Sequence, residues 1–267
     1  MRTASLSALL LALPLVACKK VEPAPKELDE LLHWFLSEHD SAEDETAAEA
    51  FRNLDAEIDG ANLEEHWDGS MSALTKDEVD GLGPSGVDPA NAPGIFMVNP
   101  VACTLDQLVE LVTAKNQIEL YETYETYERT WVSDVPAFRD GGDDLAEWDE
   151  TFTVSVLGIE YAADTIGLAR RVADLDDEQT PWGSTLMTRR TMPERATFDN
   201  DRDYYDQDYR AEMYYERKNG TVVHVAAMWR EASFAGLDST NEGTQRLVLN
   251  GMKDWDDLSE EHCAEMR

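Results

Sequence analysis

The sequence predicts an α+β fold: a curved antiparallel β-sheet packed against a long C-terminal helix, with N-terminal helices in front of it. Three patterns carry that expectation. Apolar and polar residues alternate in several runs of the second half, the period of strands with one inward face. Asn219-Gly220 separates two such runs and suits a type I′ hairpin turn, whose central positions both need positive φ. Apolar residues recur at helical spacing at both ends of the chain.

Taken in order, Leu28, Leu31, Leu32 and Phe35 predict a first helix, and Ala47, Phe51, Leu54 and Ile58 a second, together filling residues 27–59. Residues 60–93 carry Gly60, Gly69, Gly81, Gly83, Pro84 and Gly86 and read as a flexible linker or loop. The α+β domain then occupies residues 94–267. Gly94 to Pro100 reads as a strand. Thr104 and Gln107 have the spacing of a capping box, opening a helix with Leu105, Leu108, Val109 and Val112 on its apolar face. The threonines and aromatics from Tyr121 to Trp131 predict a strand.

Phe152, Val154 and Val156 then alternate with Thr151, Thr153 and Ser155. Gly158 marks a reversal, Ile159 to Ala169 a return strand, and Thr185 to Met192 a further one. With Lys218 opposite Thr221 across the Asn219-Gly220 turn, Tyr215 falls opposite His224, Met213 opposite Ala226, and Ala211 opposite Met228. That register puts Met213, Tyr215, His224 and Met228 on one face and Glu212 and Glu216 on the other. Ser239 and Glu242 have capping-box spacing. Leu247, Gly251, Trp255 and Leu258 form the inward stripe of the last helix, where Gly251 would permit close approach to the sheet.

The order of strand, helix, antiparallel strands and long final helix over residues 94–263 resembles the START-like helix-grip fold. That resemblance rests on element order, without a matched motif. It implies a cavity between the sheet and the last helix. Met213, Tyr215, His224, Met228 and Trp255 are the candidate lining: an apolar wall with one or two polar atoms to orient a ligand.

The first residues have a different job. Arg2 is followed by an apolar run from Leu6 to Val16 that is too short to span a bilayer, then by lysines and prolines. Leu15-Val16-Ala17-Cys18 closes that run. It resembles the processing signal of bacterial lipoprotein precursors. The resemblance implies a signal peptide over residues 1–17, acyl chains including palmitate on Cys18, and a tether over residues 18–26. Lys19 after the cysteine resembles the outer-membrane sorting class. The expected location is therefore the bacterial envelope, on its outer membrane, with the membrane as a partner through the N-terminal lipid. Several acyl chains hold firmly where a single chain does not.

Composition narrows the partners. The chain has 56 Asp and Glu against 22 Lys and Arg, a formal charge of −34. Such a surface repels phosphate backbones, which excludes nucleic acid as a natural partner. After Cys18 is assigned to lipid, Cys103 and Cys263 remain, and in an oxidising envelope they are expected to form a disulfide. No cofactor is expected.

Catalytic and metal signatures are weak. Asp199 to Asp208 begins like a calcium loop but has Arg210 at the final ligand position, and Asp55 to His66 ends on histidine instead of glutamate. The five histidines lack zinc-helix spacing, and there is no GxSxG elbow or phosphate-binding glycine loop. Three readings follow. The first is an envelope lipoprotein that binds a small apolar or amphipathic ligand without catalysis. The second is a structural or interaction lipoprotein whose partner is another envelope protein. The third is a hydrolase using metal-assisted or acid–base chemistry, which needs a pocket that joins a histidine to two carboxylates.

Overall fold

A computed structural model describes residues 23–59, 67–121, 123–173, 184–217 and 219–266. The expected signal peptide, Cys18 and the start of the tether lie outside the described residues. Helices α1 (Leu28–Ser37) and α2 (Asp44–Ile58) come first. Strands β1 (Trp67–Met71) and β2 (Gly94–Val101) lead to α3 (Leu105–Val112), then β3 (Tyr124–Trp131) and the short α4 (Val135–Arg139). Next are β4 (Leu145–Val156), β5 (Ile159–Ala173), β6 (Ser184–Thr191) and the two-residue β7 (Thr197–Phe198). The chain ends with β8 (Tyr204–Glu216), β9 (Val222–Phe234), β10 (Leu237–Asp238) and α5 (Glu242–Glu265). No helix among the described residues is long and apolar enough to cross a membrane.

The strands form one curved, open antiparallel sheet in the order β1-β2-β9-β8-β6-β5-β4-β3, with β10 beside β9 and β7 beside β5. Helices cover both faces. On the back, Phe35 and Phe51 meet at a tilt with ring centroids 5.0 Å apart, and Phe51 meets Tyr215 of β8 at 6.1 Å. On the front, α3 and α5 pack through Leu108, Val109, Trp255 and Cys263 against Tyr214, Val222 and Leu186. A sheet covered twice needs no polar face, so the first eight residues of β9, Val222 to Trp229, are all buried.

The local signals mostly hold. Thr104 and Gln107 form the reciprocal capping box, and the two N-terminal helices form at the expected places. Three details differ. The stretch read as linker contains edge strand β1, paired with β2, and its Leu74 and Val79 are buried in the back core. Glycine there reflects close approach as well as flexibility: a Cβ at Gly83 would overlap the Tyr209 hydroxyl. The end of the expected tether is also held, since Asn53 Nδ2 donates to the Pro25 carbonyl at 2.6 Å. Finally, α5 is capped by Asn241, whose Oδ1 accepts from Gly243 N at 2.8 Å. Ser239 is drawn away because its Oγ accepts from Ala232 N, beside the β9–β10 pairing.

The largest correction is the β8–β9 register. Arg217 N donates to Thr221 O, and Gly220 N to Arg217 O, each at 2.8 Å. The connection therefore lies between Arg217 and Thr221, and only Gly220 of the Asn-Gly pair has positive φ, at +82°. This is the longer hairpin loop with a left-handed glycine, not the two-residue type I′ turn. Tyr214 now faces His224, Met213 faces Val225 and Arg210 faces Met228. The one-residue slip moves Met213 and Tyr215 to the back face and brings Glu212 to the front. Two-residue turns with both central φ values positive occur instead at Leu157-Gly158 and Ala235-Gly236.

Cys103 and Cys263 are joined, with Cα atoms 5.5 Å apart and a sequence separation of 160. The bridge ties the entrance of α3 to the end of α5. Gln107 Nε2 donates to Cys263 O at 2.8 Å beside it. Closing so long a loop contributes up to about 5 kcal/mol in the chain-entropy model. Non-reducing peptide mapping should therefore recover these two cysteines linked. Replacing both with alanine should lower the unfolding free energy by about 2–5 kcal/mol in urea titrations.

Candidate functional site

Between the front face of the sheet and α5 lies an open cavity of about 450 Å³. Its aromatic wall comes from Tyr124, Phe152, Tyr161 and Phe234, on β3, β4, β5 and β9. Tyr124 and Phe152 stack with centroids 5.0 Å apart, and Tyr161 meets Phe234 at 5.2 Å. The N-terminal half of α5 supplies Leu247, Val248, Gly251 and Met252. Leu247 is 57% exposed at the opening. Gly251 does not approach the sheet as expected: it is exposed at the cavity's edge, and a Cβ there would meet nothing within 4 Å.

His224, Met228 and Trp255 of the expected lining are in the cavity wall. Met213 and Tyr215 are not; both are fully buried in the back core by the register slip. Sequence reasoning missed Arg190, Arg210 and Arg230, which also line the cavity. Their only signal was charge within segments that read as strands, which does not by itself say which face the side chains take. The correct parity depended on the hairpin register.

Each arginine reaches the interior with a carboxylate. Asp208 accepts from Arg210 Nε at 3.1 Å and from Arg230 Nη2 at 2.8 Å, and the Tyr205 hydroxyl also donates to it. Burial pushes the Asp208 pKa up, but the two guanidiniums outweigh burial and hold it below the ordinary range. Glu150 lies 2.9 Å from Arg190 Nε and accepts from Arg129 Nη2 at 2.6 Å. Burial again opposes ionisation, and Arg190 and Arg129 overcome it, taking Glu150 down to about 2. Asp208 lies in the segment that begins like a calcium loop, and here it serves arginine. Among the described residues no group of three metal-ligating side chains is assembled. His66 lies outside the described residues.

His224 has an orienter that the sequence did not reveal. Its Nδ1 is 2.7 Å from Asp256 Oδ1 on α5, and Asn99 Nδ2 of β2 donates to Asp256 Oδ2 at 2.8 Å. Tyr214 stacks on the imidazole at 4.3 Å. Burial lowers the histidine pKa, yet the Asp256 charge and hydrogen bond exceed that effect, so the net shift is upward. Glu212 lines the cavity beside it. The arrangement thus joins a histidine to carboxylates, but His224 Nε2 is buried without a hydrogen-bond partner. A general base needs that nitrogen within reach of a reacting proton; here the pair works as a clamp between sheet and helix.

A second constellation sits outside the cavity. His33 Nδ1 is 2.8 Å from Glu78, and His33 Nε2 is 3.1 Å from Ser72 Oγ. The spacing is that of an acid–base–nucleophile row. However, Asp29 accepts both the Ser72 hydroxyl, at 2.5 Å, and the Ser72 N–H, at 2.9 Å. The hydroxyl proton and a backbone donor are thereby engaged, and the cluster binds α1 to the segment after β1.

No protein-family model and no curated protein matches the sequence. Solved structures do resemble the fold. Human StAR-related lipid transfer protein 5 is 10% identical, with a TM-score of 0.46 over 84% of this chain and 97% of that one. The lipid transfer and protein localization domain of human StarD13 is 9% identical, with a TM-score of 0.42 over 78% and 95%. A START superfamily protein from Mycobacterium smegmatis is 8% identical, with a TM-score of 0.39 over 65% and 99%. These are likenesses of chain path at low identity.

The clamp has a pH signature. Since the folded-state pKa of His224 is raised, its stabilisation is complete below about pH 6.5 and is lost as pH rises through the folded value. Asp256→Ala strands the buried histidine and should cost about 3–5 kcal/mol in mildly acidic urea titrations. The deficit should shrink as pH rises; a deficit that grows would refute the clamp.

Proposed function

We propose that this protein binds a small apolar or amphipathic molecule between its sheet and α5 without transforming it. We further propose that it does so as an envelope lipoprotein, held at the outer membrane by acyl chains on Cys18. The observation that carries the binding reading is the open cavity of about 450 Å³, walled by aromatic and aliphatic side chains. That volume falls in the range of small-molecule sites, and the mix of apolar walls with a few polar groups is what such sites need. A filled core between sheet and helix would have favoured the interaction-protein reading.

Gly251 supplies the test, because it lines the cavity and a side chain added there meets no neighbouring atom within 4 Å. Wild-type protein should bind the uncharged dye N-phenyl-1-naphthylamine saturably, with a fluorescence rise. Gly251→Trp should weaken that binding by roughly tenfold or more. Its thermal stability should hold or rise, since glycine within a helix costs up to about 1 kcal/mol relative to good helix formers. Absence of saturable binding to the wild type, or equal binding by the variant, would overturn the cavity as the site. For the anchor, Cys18→Ala expressed in a bacterial host should leave the membrane fraction, and the native precursor should incorporate radiolabelled palmitate.

A further inference from the structure

The charge on the cavity floor is opposite to that of the molecule. The chain carries −34 overall, yet Arg190, Arg210 and Arg230 line the cavity, faced there by Glu212 and the exposed rim residue Asp254. Arg190 and Arg210 are directly opposed across the β6–β8 pairing. Like charges in that relation destabilise a sheet unless anions intervene. The carboxylates that accompany them are shared. Asp208 serves both Arg210 and Arg230, while Glu150 serves both Arg190 and Arg129. Each trio therefore keeps one uncompensated positive charge in a desolvated site. Glu212 offsets part of it, but its Oε2 already accepts the Thr188 and Tyr214 hydroxyls, each at 3.2 Å.

The guanidinium atoms are unevenly used. Arg190 spends Nε on Glu150 and Nη2 on the Tyr124 hydroxyl; Arg210 and Arg230 spend Nε and Nη2 on Asp208. Nη1 of all three has no hydrogen-bond partner among the described residues, and none of these atoms is among the fully buried unpaired ones. Their side chains keep 16%, 20% and 19% exposure respectively, within the cavity they line. Three donors remain for something that enters. Beside them, Arg190 lies over the Phe152 ring at 5.5 Å and Arg230 over Tyr205 at 5.0 Å, which fixes the guanidinium planes against the aromatic wall.

Resting on the cavity as the binding site, we propose that its ligand is an organic anion: an apolar or aromatic body bearing a carboxylate, sulfate or phosphate, with the acidic group seated on Arg190, Arg210 and Arg230. Charge-assisted bonds to guanidinium are the strong ones, and planar oxyanions match its geometry. The acidic exterior would slow the approach of such a ligand, but about 0.15 M salt screens that field beyond roughly 8 Å.

Two dyes that differ by one sulfonate test this in the full-length wild type at that salt: 1-anilinonaphthalene-8-sulfonate and the neutral N-phenyl-1-naphthylamine. The sulfonate should bind about tenfold tighter or more, and Gly251→Trp should weaken both. Arg190→Gln and Arg210→Gln, checked for an intact thermal transition, should each remove most of the anion preference, read as the ratio of the two dyes' affinities within the same variant. If the neutral dye binds as tightly as the sulfonate, or the preference survives both substitutions, anion recognition is overturned and the cavity reading stands. If neither dye binds saturably, the cavity reading itself fails. Should either variant not fold, the wild-type dye ratio decides alone.

Discussion

The pairing of Arg217 with Thr221 decides which side chains of β8 and β9 face α5 and which face α1 and α2. In this register Met213, Tyr215, Val223 and Val225 enter the back core, where Phe35 and Phe51 cover them. Arg210, Glu212, His224 and Met228 enter the front, where the cavity lies. Shifting by one residue would press two charged side chains under apolar helices and carry the aromatic Tyr215 away from its partners. That loss is far larger than any turn preference. Loop length and face burial therefore agree, and the rest of the front face follows from them.

Covering a sheet on both sides has a second consequence: charges at inward positions must be neutralised within the protein. Burying a single guanidinium costs several kcal/mol unless a carboxylate and further hydrogen bonds receive it. The front face answers with shared carboxylates. Glu150 gathers two arginines with the Tyr127 hydroxyl, the Trp148 indole and the Thr165 hydroxyl. Asp208 gathers two more. These clusters leave Nη1 of Arg190, Arg210 and Arg230 without a hydrogen-bond partner among the described residues.

Helix α5 is held unequally along its length. Its C-terminal half is fixed by the Cys103–Cys263 bridge and by Asp256, which receives both His224 and Asn99. Its N-terminal half rests on β2 through Leu249, near Ile95, Met97 and Met228, while Leu247 and Gly251 look onto open space. A helix anchored at one end and in its middle can stand off the sheet at the other without collapsing onto it. The cavity lies beside that less anchored half, with Gly251 in its lining.

Much of this was legible in the sequence. Helical spacing located both N-terminal helices and the last one, the Thr104 box located α3, and alternation located the strands, because each depends on contacts between near neighbours in the chain. Cysteine count and the expected compartment also paired Cys103 with Cys263. The edge strand within the glycine-rich stretch was hidden, since glycine marks a close approach and a flexible turn alike. His224, Met228 and Trp255 were placed at the site, while Met213 and Tyr215 were placed on the wrong face. The arginine floor and the Asp256 partner escaped altogether. The sequence by itself determined the main helices and most of the long strands, their order and the acidic composition. Tertiary structure alone decided the cavity lining, because strand parity turns on a single residue of loop length, and His224 and Asp256 meet only when α5 packs across the sheet.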